Sequence, residues 1–444
     1  MGGEKEGGYD LVCRNKFGEA VTLLPGRVHA PARLEPGKTG EAFRRDWQEA
    51  LVRAYDDGGP LTAWDAIRPQ LSSLDWNELA WGFAWLADFG QQGSDEFHFA
   101  RQTLTLVRDR RADTGCKKRA SLLAMVDGGL KKLFDSVTDR GPKTVDGQPS
   151  TAYRLHWDSR HELTPPASTT ATLLLDALGF PPEGDEAAAR YIVKAYELGW
   201  KRFIVYNWRG GRFAGVGLGP DTQGVTIHLY GDVGDYAASG LDGAEVHLHA
   251  DGQDQLGQIM KSGKLVIHGD VGQTFLYGAK GGEIYVLGSA AGRPLINAVG
   301  KPRAVINGTC LDYLAESFMA GDPHNGGGFV IVNGVGYTED GCLADLPTPY
   351  PGGNLFSLAS GGAIFLRDPH RRVDEEQLNG GAFAGLTEAD WGLIEPYLLE
   401  NEALFGICIE SLLTVDGQRL SPSDVYRKVV VKEQTAILTE TANR

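Results

Sequence analysis

Between Gln223 and Asp368 short apolar runs recur at a nearly constant pitch, each with one internal alternation. Aligned on the residue that closes each run, Gly231, Ala250, Gly269, Gly288, Gly308, Gly334 and Asp368 stand 19, 19, 19, 20, 26 and 34 residues apart. The positions two and four places before each closing residue, such as Leu229 and Ile227 or Ile267 and Leu265, are aliphatic in every run. The intervening positions are mixed: Tyr230 and His228, His249 and His247, His268 and Val266, Leu287 and Tyr285. A two-residue alternation repeated at fixed pitch predicts stacked parallel strands, because each aliphatic column is buried only when the next repeat lies on it. Gly231, Gly234, Gly240 and Gly243 of the first repeat recur in the third as Gly269, Gly272, Gly278 and Gly281, where corners need positive φ or close backbone approach.

Upstream the period changes to that of helices, over Glu41–Asp56, Ser73–Phe89, Lys117–Asp135, Thr169–Leu178 and Asp185–Leu198. Trp76, Leu79 and Leu86 share a face with Trp81 and Trp85, which reads as a tryptophan-rich core. Polar stretches at Gly141–Ser150 and His161–Ser168 read as linkers. Downstream, Thr387 and Asp390 form a capping signature that opens a helix through about Glu400, despite Pro396. The expected fold is mixed: a helix-rich N-terminal domain (1–199), a right-handed parallel β-helix (200–370) and a helical C-terminal cap (371–444).

Composition narrows the function. The 60 glycines fit the repeats, and a net charge of −15 disfavours nucleic acid or an anionic membrane as partner. No apolar run reaches a membrane span, and the opening residues lack a signal-peptide pattern, so the expected location is cytoplasmic, without membrane insertion. Cys13, Cys116, Cys310, Cys342 and Cys408 contain no Cys-x-x-Cys pair that would announce a cluster or zinc site.

Three motifs read as decoys. Ala32-Arg33-Leu34-Glu35-Pro36-Gly37-Lys38-Thr39 loosely fits a phosphate loop, but no strand leads directly into it and Pro36 removes an amide donor. Gly215-x-Gly217-x-Gly219 is followed by Pro220 where a dinucleotide fold would open a helix. Cys13 is followed by Arg14-Asn15-Lys16, which does not match the N-terminal nucleophile motif of an amidotransferase. The one concentration of ligand-type side chains is His228, His247, His249 and His268, on outward positions of three successive repeats with Glu245 pointing the same way. They read as stacked residues on a solvated or partner-covered face; no metal, catalytic or cofactor-binding residue is expected.

Four segments carry a family resemblance: Arg209–Leu218, Asp232-Val233-Gly234-Asp235-Tyr236, Met260–Gly272 and Gly281–Gly288. They resemble the GXGXG domain, which forms the C-terminal β-helix of the glutamate synthase large subunit and the third subunit of formylmethanofuran dehydrogenases. The resemblance covers about Trp200 to Asp368 and, more loosely, Leu386 to Val430. It implies a structural or docking subunit of a multi-subunit redox complex, with no cofactor in this chain and with FMN and iron–sulfur clusters in a larger partner. The alternatives are a subunit of a molybdenum/tungsten formyl-group dehydrogenase and a free-standing carbohydrate-active β-helix. The outward ladder lacks the acid pair that the last would use.

Overall fold

The structure, a computed structural model, describes residues 13–14, 20–21, 40–137, 152–338 and 340–432. Twelve strands form one sheet: β1 (Ala152–Leu155), β2 (Thr172–Asp176), β3 (Arg202–Arg209), β4 (Thr226–Asp232), β5 (Asp242–Leu248), β6 (Ser262–Ile267), β7 (Glu283–Val286), β8 (Arg303–Ile306), β9 (Phe329–Val332), β10 (Ala363–Arg367), β11 (Gly381–Gly385) and β12 (Tyr426–Val431). From β1 to β10 each strand pairs in parallel with the next; β12 then pairs antiparallel with β10, and β11 antiparallel with β12. The register keeps the aliphatic columns aligned, with Leu229 beside Leu248, Leu248 beside Ile267 and Ile267 beside Val286.

The expected fold class is therefore corrected. The described elements form an α/β arrangement, a mostly parallel 12-stranded sheet with helices packed on it, rather than a clear right-handed β-helix between two helical parts. The fixed pitch specifies that successive strands stack in parallel, but not how the chain closes between them or where the sheet ends. Both ends lie outside the repeats. Thr172–Asp176, expected within a helix, is β2, and all five of its residues are buried. A strand covered on both faces reads as a continuous apolar run, which periodicity alone does not separate from a buried helix. The C-terminal segment supplies β11 and β12 as well as helix.

The helices are α1 (Glu41–Asp57), α2 (Gly59–Ile67), α3 (Trp76–Phe89), α4 (Ser94–Asp109), α5 (Arg119–Asp135), α6 (Ala188–Glu197) and α7 (Glu388–Phe405), with shorter turns elsewhere. Asp75 opens α3 with a capping box to Glu78, and Thr387 opens α7 with one to Asp390. The sheet face expected to be mixed is covered. Leu174, Ile204, Tyr206 and Tyr230 belong to the core of α1–α5, while Tyr285, Val305, Ile331 and Phe365 pack with Ile394, Leu398 and Phe405 of the α7 region. The aliphatic columns pack on the other face against α6 and the segments between strands.

Those segments share a backbone device. Tyr236, Ala238 and Gly240 all have positive φ, as do Gln255, Gly257 and Ile259, then Thr274, Leu276 and Gly278, and so on to Asn354, Phe356 and Leu358. In successive turns the outer two residues of the triplet donate their amides forward to the next turn, as Gln255 does to the Gln273 carbonyl at 2.8 Å and Ile259 to Tyr277 at 2.8 Å. The central residue donates backward, Gly257 to Ala237 at 2.8 Å and Leu276 to Leu256 at 2.8 Å. Gly215-x-Gly217, weighed above as half a dinucleotide motif, completes with Phe213 the first such triplet, from which Phe213 donates to the Asp235 carbonyl at 3.1 Å. Among the corner glycines, Gly231 has φ +122°, and at Gly234 a Cβ would stand 2.5 Å from the Gly210 carbonyl oxygen.

Candidate functional site

The four sequence-predicted histidines do come together, and they are joined by a residue that the sequence did not single out. Imidazole rings of neighbouring strands stack in near-parallel planes, His228 on His247 at 4.7 Å and His249 on His268 at 5.1 Å between centroids, and Tyr230 continues the stack onto His249 at 4.3 Å. Strand alternation places them on one face, and parallel register sets successive rings side by side. They are not solvated: α4 lies over them and delivers Asp109 from its last turn. Asp109 Oδ2 stands 2.6 Å from His249 Nδ1 and 3.4 Å from His268 Nδ1, with all three side chains at 7% exposure or less. His249 Nε2 meets His228 Nδ1 at 3.0 Å, so a polar chain runs from His228 through His249 to the carboxylate. At the outer end His247 Nε2 pairs with Glu245 at 2.7 Å.

Burial sets the protonation of this cluster. It lowers His228 and His249 well below the ordinary histidine range, with neighbouring positive charge adding to the effect. His268 is pushed down to about 3 by burial, against the attraction of Asp109. Asp109 is itself raised by burial, with His268 and Arg108 pulling the other way. The inner imidazoles are thus neutral near pH 7. Arg108 approaches Asp109 Oδ1 at 3.7 Å while its Nε holds Asp127 at 2.8 Å. Arg119, brought down to about 9 by burial, donates to the Arg108 carbonyl.

A second polar cluster fastens the helical layer to the sheet: Arg154 Nε donates to the Tyr206 hydroxyl at 2.7 Å, Tyr206 donates to Asp135 at 2.8 Å, and Arg154 Nη2 pairs with Asp176 at 3.0 Å. On the strand-entry edge an open groove of about 680 Å³ is lined by Glu245, Lys264, Glu283, Lys301, Arg303 and Tyr397, among others. Its charges are mixed and partly paired, Lys264 with Glu400 at 2.6 Å and Arg303 with the Tyr397 hydroxyl at 2.6 Å. The segment 32–39 and the Cys13 side chain lie outside the described residues. Among the described residues no helix is long and apolar enough to cross a membrane.

Residues 195–386 match the GXGXG motif family. Within the wider chain, a stretch of 164 residues is 32% identical to ferredoxin-dependent glutamate synthase 2 of Synechocystis sp.. That alignment covers 35% of this chain and 10% of the cyanobacterial protein, so the chain corresponds to about a tenth of that relative's length. The resemblance of the repeats to the GXGXG domain of glutamate synthase is thereby shown, and the chain fits a glutamate-synthase-like component. The sequence missed Asp109 because it lies 140 residues from its partner His249, and only its position, an acid in the last turn of an amphipathic helix, marked it as unusual.

Proposed function

We propose that this chain is a non-catalytic docking component of a glutamate-synthase-like redox assembly, with FMN and iron–sulfur clusters carried by a larger partner. The observation that supports it most is the combination of a GXGXG match over residues 195–386 with an alignment that spans only a tenth of the synthase. What the two proteins share is thus confined to a small portion of the relative. The described residues fit such a role. His249 and His268 are closed off, with burial holding both below the ordinary histidine range, and Cys310, one of the free cysteines, is buried, with its thiol pushed up by desolvation.

The reading expects two things of the purified chain. Alone it is colourless, with no flavin or iron band surviving gel filtration. Affinity purification from the native organism at low salt, followed by mass spectrometry and an absorption spectrum, recovers a larger flavin- and iron–sulfur-containing subunit in fixed ratio. A monodisperse, partner-free protein with its own turnover overturns the proposal.

A further inference from the structure

The cluster of Asp109, His249 and His268 has features that an all-protein hydrogen-bond network leaves unexplained. Asp109 Oδ1 and His268 Nδ1 are fully buried and make no hydrogen bond; they have only ion-pair contacts, Oδ1 with Arg108 at 3.7 Å and Nδ1 with Asp109 Oδ2 at 3.4 Å. A buried polar atom that makes no hydrogen bond calls for an explanation, and a bound ion is one that serves two such atoms at once. The acid also stands at the C-terminal end of α4, where the helix dipole is negative and disfavours a second negative charge. A cation at this point answers both anomalies.

We propose that Asp109, His249 and His268 form a structural metal site for a borderline divalent ion of the zinc type, which locks α4 onto β5 and β6. The three donor atoms already lie within 4.8 Å of one another. Zinc holds nitrogen and oxygen donors at about 2.0–2.1 Å in tetrahedral geometry, which separates neighbouring donors by roughly 3.3 Å. The 3.4 Å between Asp109 Oδ2 and His268 Nδ1 meets that spacing; the 2.6 Å contact to His249 Nδ1 has to open by less than an ångström, and the two rings, stacked with their planes 19° apart, have to turn so that both Nδ1 lone pairs converge on the ion. His249 is equipped for the exchange. With Nδ1 on the metal, the ring carries its proton on Nε2 and donates it to His228 Nδ1 at 3.0 Å, the outer contact that orients a ligating histidine.

Two features define the class of ion. Two imidazoles with a single carboxylate suit zinc, cobalt or nickel and not the all-oxygen preference of magnesium or calcium. The positive charges of Arg108 and Arg119 near Asp109 further penalise ions that bind by charge alone. Burial on every side leaves no route for substrate, so the ion is structural and not catalytic, with the second carboxylate oxygen, Asp109 Oδ1, available for its fourth position.

The test uses the full chain, stripped with a chelator and equilibrated with zinc. Elemental analysis after desalting is expected to find one zinc per chain, and zinc is expected to raise the unfolding temperature. Both effects disappear in His268→Gln and Asp109→Asn. If these variants do not fold, wild type alone decides: copper(II) bound to it shows hyperfine splitting from two nitrogens in its paramagnetic resonance spectrum. Wild type that retains no zinc and gains no stability from it overturns the proposal. So does zinc retained equally by both variants, or a copper spectrum without nitrogen coupling.

Discussion

A ladder of buried amides fastens α7 and β12 to the sheet, and two of its members, Asn307 and Asn401, are predicted to differ in what their loss costs. Asn307 Nδ2 donates to the Val286 carbonyl at 2.9 Å and to Asn401 Oδ1 at 2.8 Å, while its Oδ1 accepts from Asn401 Nδ2 at 3.0 Å and from Asn333 Nδ2 at 2.8 Å. Tyr426 closes the row by donating to Asn333 Oδ1 at 2.9 Å. Asn307, Asn333 and Asn401 are each 0% exposed. Asn401→Ala removes two hydrogen bonds, but each polar atom of Asn307 keeps another partner. At about 1 kcal/mol per bond, plus a small cavity, the cost is about 2–4 kcal/mol. Asn307→Ala removes four bonds and leaves the amides of Asn401 and Asn333 buried without the partners they had. With about 1–3 kcal/mol for each orphaned group, its cost is about 4–6 kcal/mol.

Urea unfolding of the two variants and of the double variant, followed by circular dichroism and tryptophan fluorescence, gives all three values and the coupling between the sites. A coupling of about 1.5 kcal/mol or more is expected, as for residues in one network. An Asn401→Ala cost equal to or above that of Asn307→Ala, or a coupling near zero, refutes the claim that the amides form a connected ladder.

Asp390 is almost fully buried and accepts from Thr387, Lys428 and His324; burial raises its carboxyl, but these donors outweigh it and hold the group at about 2 against an ordinary 3.8. Because the folded value is the lower one, its stabilisation of about 2 kcal/mol is present above pH 3.8 and lost as pH falls towards 2. Asp390→Asn should flatten that part of the stability–pH curve, and an unchanged slope counts against the assignment. Ile267 is 0% exposed among the aliphatic columns, so Ile267→Asp should abolish soluble expression at a cost of several kcal/mol. Lys264, partly exposed on the same strand and paired with Glu400, should tolerate replacement by glutamine within about 1 kcal/mol, and equal behaviour of the two variants means the register is wrong.

What the sequence disclosed follows from how each feature is encoded. The stacked strands β4 to β10 were legible because alternation and pitch are local and repeated, and α1, α3, α5, α6 and α7 because a 3.6-residue stripe or a cap announces them. β2 was not, since Thr-Leu-Leu-Leu-Asp is buried along its whole length and carries no alternation. β12 was not, because its neighbours β10 and β11 are chosen by distant pairing and not by any repeat. The histidine stack was visible as a column of side chains, but its cover was not. An alternation specifies that two faces differ without specifying which element lies on the second, and the cover of these histidines comes from both far upstream, in Asp109, and far downstream, in Phe405.

The same distinction explains the triplets between the strands. A single non-glycine residue at positive φ costs roughly 1–2 kcal/mol, and the series contains Tyr236, Gln255, Ile259, Leu276, Leu295 and Phe356 among others. Local preference therefore argues against this backbone at nearly every turn, and glycine fills only some of its places. The compensation is collective. Each strained residue directs its amide at a neighbouring turn, and the central side chains, such as Leu276, Leu295 and Phe356, are fully buried against the aliphatic columns. A turn of this kind is stable only beside another. Strain, amide pairing and burial then rise and fall together along the stack, which accounts for a pitch held at 19 or 20 residues from Gly231 to Gly308 while many of the residues at the positive-φ places differ from turn to turn.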